Sequence, residues 1–180
     1  VAAAGSTVLQ NGVTLSGTIN TSGSGRSAAS GSSNNFLDGV TLNGNLDLAT
    51  ATGLERVTAG GLVLNGTIDL NNNSVLAFTG DGGLSGNGTV VLGSTGASNR
   101  IGLDGNGTTT FAAGTTVRGQ NGTIGNNVFV GGAQTLVNNG TINSDSGGTI
   151  TFGSSALVNN GLVRAQAGTM NVGVALSGSG

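Results

Sequence analysis

The stretch "VNNGTIN", Val137 to Asn143, decides how the chain is read, because it comes back. "VNNGLVR" follows at Val158 to Arg164, and "LNGTIDL", "GNGTVVL" and "QNGTIGN" precede it. Aligning each Asn-Gly or Ser-Gly pair on its glycine gives Gly17, Gly44, Gly66, Gly88, Gly107, Gly122, Gly140 and Gly161. The spacings run from 15 to 27 residues and average about twenty, the range in which solenoid repeats fall. The residue before the glycine is Asn43, Asn65, Asn87, Asn106, Asn121, Asn139 or Asn160 in seven of eight units, and Ser16 in the other. Two residues after it stands an aliphatic in seven of eight: Ile19, Leu46, Ile68, Val90, Ile124, Ile142 and Val163, with Thr109 the exception. The aliphatic column is independent of the glycine that defines the unit, which supports the repeat.

Between these signals the apolar residues alternate or form short β-branched runs: "TIDL" (67–70), "VLAF" (75–78), "TVVL" (89–92), "TITF" (149–152) and "TMNV" (169–172). Period two is the strand signature, and Gly, Asn, Ser and Asp clusters supply the turns between. No segment shows a helical period. A unit of about twenty residues is too short for a propeller blade and holds three short strands and three turns, which is one coil of a parallel β-helix. Stacking coils makes identical positions neighbours, so the aliphatic column becomes a continuous core. The expected fold is therefore all-β: a right-handed parallel β-helix of about eight coils and about 40 Å, handedness following the strand-crossover rule. Residues 1–180 form a single β-solenoid domain, with "TSGSGRSAASGSSNN" (21–35) expected as an exposed loop. Gly would supply positive φ at the turns and the Asn amides would form a ladder from coil to coil.

Composition removes several classes of function. There are 37 Gly and no Pro, Cys, His, Trp, Tyr or Lys, and charged residues make up 7%. The net charge of −2 offers no basic face for nucleic acid. Absence of Cys removes disulfides and thiolate sites, and fits an extracellular bacterial protein. No apolar run approaches the length of a membrane helix. Without His or Cys, an ordinary Ser or Cys nucleophile has no base. The residues thus point to no enzyme and no cofactor.

The few candidates for chemistry are weak. Asp47 and Asp69 share a column three residues after the unit glycine. On adjacent coils they could hold Ca²⁺ or act as acid and base, although a solvated face is the simpler explanation. "LDGNGT" (103–108) lacks the ligand order of a Ca²⁺ loop. The Thr column has no second Thr column beside it, as an ice-binding face requires. The five Phe residues suit a partial interior stack.

Repeated "LVNNGTI", "LVNNGLV", "GTITF" and "LSGNGTVVL" resemble the β-helical passenger regions of secreted bacterial exoproteins, the autotransporters and the filamentous-haemagglutinin-like two-partner secretion adhesins. The resemblance covers nearly the whole chain from about Gly12. It implies a secreted, cell-surface rod serving adhesion, aggregation, or filament and matrix formation, with host or neighbouring-cell surface molecules as partners. Uncapped strand edges add a second copy of the chain, end to end or laterally, as a partner. The alternative is a carbohydrate-binding or carbohydrate-cleaving β-helix, such as a polysaccharide lyase or tailspike. That class calls for clustered charged side chains and aromatic sugar contacts. The start at Val1 and the uncapped termini suggest a piece of a longer repeat array.

Overall fold

The computed structural model describes residues 1–93 and 98–180. The described residues form 22 strands and no helix, all parallel to their neighbours. They wind into eight stacked coils with three faces.

The first face is an eight-stranded sheet: Thr7–Gln10, Arg26–Ala29, Asn45–Asp47, Thr67–Leu70, Thr89–Leu92, Thr116–Gly119, Thr141–Ser144 and Leu162–Ala165. The second face contains Leu54–Val57, Val75–Thr79, Arg100–Asp104, Gly122–Ile124, Thr149–Phe152 and Thr169–Val172. The third contains Leu62–Leu64, Leu84–Gly86, Gly107–Phe111, Gln134–Asn138, Ala156–Asn159 and Ala175–Ser177. In the first two coils one long strand serves both later faces, Thr14–Asn20 and then Phe36–Asn43. Phe36 and Leu37 pair with Arg56 and Val57 on the second face, while Val40 to Leu42 pair with Leu62 to Leu64 on the third. The bend between them is a bulge at Gly39, whose φ of 61° suits glycine.

Strict alternation on the first face sends one set of side chains inward. The register aligns Val8, Ser27, Leu46, Ile68, Val90, Val117, Ile142 and Val163. Coils are about 22 residues long. Leu46, Ile68, Val90, Ile142 and Val163 therefore share the expected column. Ile19 and Ile124 belong elsewhere: Ile19 pairs with Leu42 on the third face, and Ile124 with Ile101 and Phe152 on the second. Ser27 and Val117 take positions in that column. The slip has a physical cause. Asn-Gly serves all three corners of the coil, so an alignment on Gly changes corner at Gly17, Gly107 and Gly122.

The reading of residues 21–35 as an exposed loop is corrected for the same reason. Arg26–Ala29 is the first-face strand of the second coil, with Ser27, Ala28 and Ala29 buried. The real excursion is residues 125–133, which run from the sixth coil back over the second face. Leu103 N–H donates to the Asn126 carbonyl at 3.3 Å, and Gly105 N–H to that of Val130 at 2.9 Å.

The core is a continuous apolar stack from Leu37 to Leu157. Phe78, Phe111 and Phe152 lie inside it, the first two with ring centroids 5.8 Å apart and tilted at 58°. Burying an aromatic ring of this kind stabilises by about 3–5 kcal/mol relative to alanine. Glycine's role at the corners also differs from expectation at Gly66. Its φ lies outside the left-handed region, and a Cβ there would collide with the Gly44 carbonyl of the coil before. Close approach of successive coils, rather than positive φ, demands glycine there.

Candidate functional site

Asp47 and Asp69 stand in register on the outside of the first face, in adjacent coils. They line a shallow groove of about 310 Å³ with Thr50, Asn71, Val91 and Gly93. The two carboxyls are not equivalent. Asp47 is 8% exposed and fully engaged. Its Oδ1 accepts the Thr50 N–H at 2.9 Å, its Oδ2 accepts the Thr50 hydroxyl at 2.6 Å, and Arg26 Nε lies 3.3 Å from Oδ2. Burial raises its pKa, but the Thr50 bonds and the Arg26 charge outweigh burial and hold it below the usual value. Asp69 is exposed, and its pKa is raised, first by partial desolvation and then by the charge of Asp47. Asp47 thus spends its lone pairs on its own turn and on Arg26, an arrangement that organises the corner. The outward column continues as Val91, Arg118, Asn143 and Arg164. Among the described residues no three of His, Cys, Asp or Glu gather where they could hold a metal ion.

The Asn ladder is real in parts and divided among corners. Asn43 Nδ2 donates to Asn20 Oδ1 at 3.0 Å, and Asn65 Nδ2 to Asn43 Oδ1 at 2.9 Å. Asn160 Nδ2 donates to Asn139 Oδ1 at 3.0 Å. All five stand at the corner leading from the third face to the first. Asn87 stands there too, next to Gly114, where a Cβ would meet its amide. The run is therefore broken in the fifth coil. Asn106 and Asn121 occupy the two other corners. Asn106 Oδ1 accepts the Ala133 N–H at 2.9 Å, and Asn121 Oδ1 accepts the Thr149 N–H at 3.1 Å.

Several engaged groups escaped the repeat pattern. Asn35 and Asn99 are buried at the corner before the second face and act alike. Each Nδ2 reaches a backbone carbonyl of its own coil and one of the next, Ser30 and Leu54 for Asn35, Gly93 and Asn121 for Asn99. Each Oδ1 accepts an N–H from the coil before, that of Gly12 or Asn73. Each thus clips three coils together.

Phe36 and Phe129 lie outside the core and enclose Arg56, whose guanidinium carbon is 4.7 Å from each ring centroid. Phe129 is delivered by the 125–133 strap. Buried Asp104 anchors that strap by accepting the Val128 and Phe129 N–H groups at 2.6 and 3.1 Å. Val128 seats over Gly102, where a Cβ would come within 2.7 Å of its methyl. The signals for this latch were a lone "NNVF" and an Arg without an evident partner, both too short to read from sequence.

On the first face, Thr67, Thr89, Thr116 and Thr141 form one outward column in consecutive coils. Its neighbour is the mixed column of Asp69, Val91, Arg118 and Asn143. No family model, curated protein or solved structure matches the chain.

Proposed function

We propose that the chain is an extracellular structural and adhesive rod, acting in bacterial cell-surface adhesion, aggregation or matrix formation. The observation that carries this reading is the outer surface itself. On the first face it presents a column of Thr67, Thr89, Thr116 and Thr141 at strand spacing, and its best-formed concavities are shallow, about 180 to 310 Å³. Such a surface favours many weak, repeated contacts over capture of one small molecule. The resemblance of its repeats to autotransporter and filamentous-haemagglutinin-like passengers supports a secreted, cell-surface setting. The partners are host or neighbouring-cell surface molecules, or a further coil. The unpaired strand edges of the outermost coils, where Val8 and Leu176 are exposed, would accept such a coil from the same chain or a second copy.

Beads coated with the purified chain test the reading. Self-clumping, or capture on bacterial or host cell surfaces, is expected, together with no turnover of acidic or neutral polysaccharides. Turnover that disappears in Asp47→Ala would replace the rod by the carbohydrate-cleaving alternative.

A further inference from the structure

Glu55 is the one glutamate of the chain and lies wholly inside the rod. It points inward from Leu54–Val57 in the third coil. Leu76 stands over it in the next coil, and Asn35 stands opposite in the coil before, one residue ahead of the Phe36–Arg56 pair. The Arg56 N–H and the Gln10 amide approach the carboxylate, but neither oxygen has a donor in good hydrogen-bond geometry. The nearby amides are committed elsewhere: Gln10 Nε2 donates to the Val13 and Phe36 carbonyls at 2.8 and 3.2 Å, and Asn35 Nδ2 to those of Ser30 and Leu54 at 2.9 and 3.0 Å. The charged groups on the elements packed around it all face outward. Arg26 and Asp47 pair with each other, Asp38 accepts from Thr58, Arg56 sits between two rings, and Asp69 is exposed.

We infer that Glu55 makes the third coil a pH-sensitive joint, at which the first two coils come away from the rest of the stack when its carboxyl ionises. A buried carboxylate without a well-formed hydrogen bond carries a large desolvation cost, so the folded rod favours the neutral acid. Burial accordingly raises the Glu55 pKa to about 8 from 4.5, and the Arg56 N–H and Gln10 amide offset burial only in part. Stability is complete below the unfolded value, declines as pH rises from about 4.5 to about 8, and changes no further above that.

The loss falls on the first coils because a solenoid is held by neighbour-to-neighbour contacts, and the inward side chains they set against the third coil on the first face are small. Ser27 and Ala29 fill the inward positions that Leu46 and Leu48 fill one coil later. From the fourth coil on, Phe78, Phe111 and Phe152 fill the interior.

A single glutamate allows a direct test. Glutamate labelled with ¹³C at the carboxyl gives one resonance, whose midpoint is expected near pH 8. Amide hydrogen exchange, corrected for intrinsic rate, is expected to show residues 7–43 losing at least about tenfold protection between pH 6 and pH 9, with residues 84–159 unchanged. Glu55→Gln should abolish that difference, and Glu55→Leu, matching Leu76, is the second neutral variant. A midpoint near the ordinary glutamate value, the same loss in both neutral variants, or a loss spread evenly over all coils would overturn the inference.

Discussion

Asn138 and Asn159 are stacked inside the rod, with Nδ2 of Asn138 donating to Oδ1 of Asn159 across 2.7 Å. Both are buried. In "VNNG" the first Asn turns inward and the second outward, so the pair makes two ladders. The inner one also wraps its own turns: Gly140 N–H donates to Asn138 Oδ1 at 3.2 Å, and Asn159 Nδ2 to the Gly161 carbonyl at 3.2 Å. A buried amide network whose member is removed leaves partners without bonds, at about 1–3 kcal/mol, whereas an exposed amide can be replaced by water. Asn138→Ala is therefore expected to lower the urea unfolding free energy by about 1–3 kcal/mol, and Asn160→Ala by less than about 1 kcal/mol. Equal costs would contradict the division into inner and outer ladders.

The pair Asp47 and Asp69 gives a prediction of opposite signs. Asp47→Asn forfeits part of the Thr50 and Arg26 interactions and should destabilise the rod at neutral pH. Asp69→Asn removes the repulsion and should stabilise it slightly. In pH titration the two also oppose. Asp47, lowered in the folded state, contributes stability above 3.8 that is lost as pH falls below it. Asp69, raised, contributes stability at low pH that is lost as pH rises above 3.8. Thermal melts of the two variants from pH 2 to 7 check this, and shifts of the same sign would refute it.

Arg56 and Phe129 couple the strap to the third coil. A double-mutant cycle of Arg56→Ala and Phe129→Ala is expected to show a coupling of about 0.5–2 kcal/mol, the range for a half-buried cation over a ring. Limited proteolysis should cut residues 125–133 faster in either variant. Strict additivity with unchanged cleavage would mean that Asp104 and the backbone bonds of Leu103 and Gly105 hold the strap without the cation.

These residues show where sequence was readable and where it was not. Alternation in "TIDL" and "TVVL" is local, so the strands, their parallel stacking and the column from Leu46 to Val90 could be derived without structure. Corner identity is not local. The same Asn-Gly turns the chain at Asn65, Asn106 and Asn121, and only the register tells which of three corners each occupies. The carboxyl of Glu55 was equally hidden. "LERV" offers two adjacent charges, and it is Val57 two residues on, packed inward, that commits Glu55 to the core while Arg56 goes out. The Asp47–Asp69 juxtaposition was legible because 22 residues separate them within one face; that Thr50 already occupies Asp47 was not.

Thr52 holds φ at 48° in the turn between Leu48 and Gly53, a turn closed by the Gly53 N–H donating to the Leu48 carbonyl at 2.7 Å. A β-branched residue in the left-handed region is strained by about 1–2 kcal/mol, because its Cβ crowds the following carbonyl. Asn72 and Asn73 adopt the same region in the next coil at φ of 55° and 65°, and Asn tolerates it better. Thr52 is exposed, so replacing it removes no core contact. Thr52→Asn and Thr52→Gly should each raise the unfolding free energy, Asn by about 0.5–1 kcal/mol and Gly by somewhat less, since Gly also gains freedom in the unfolded chain. Chemical denaturation of both variants measures this, and a loss of stability in Thr52→Asn would show that the threonine makes a contact worth more than the strain it bears.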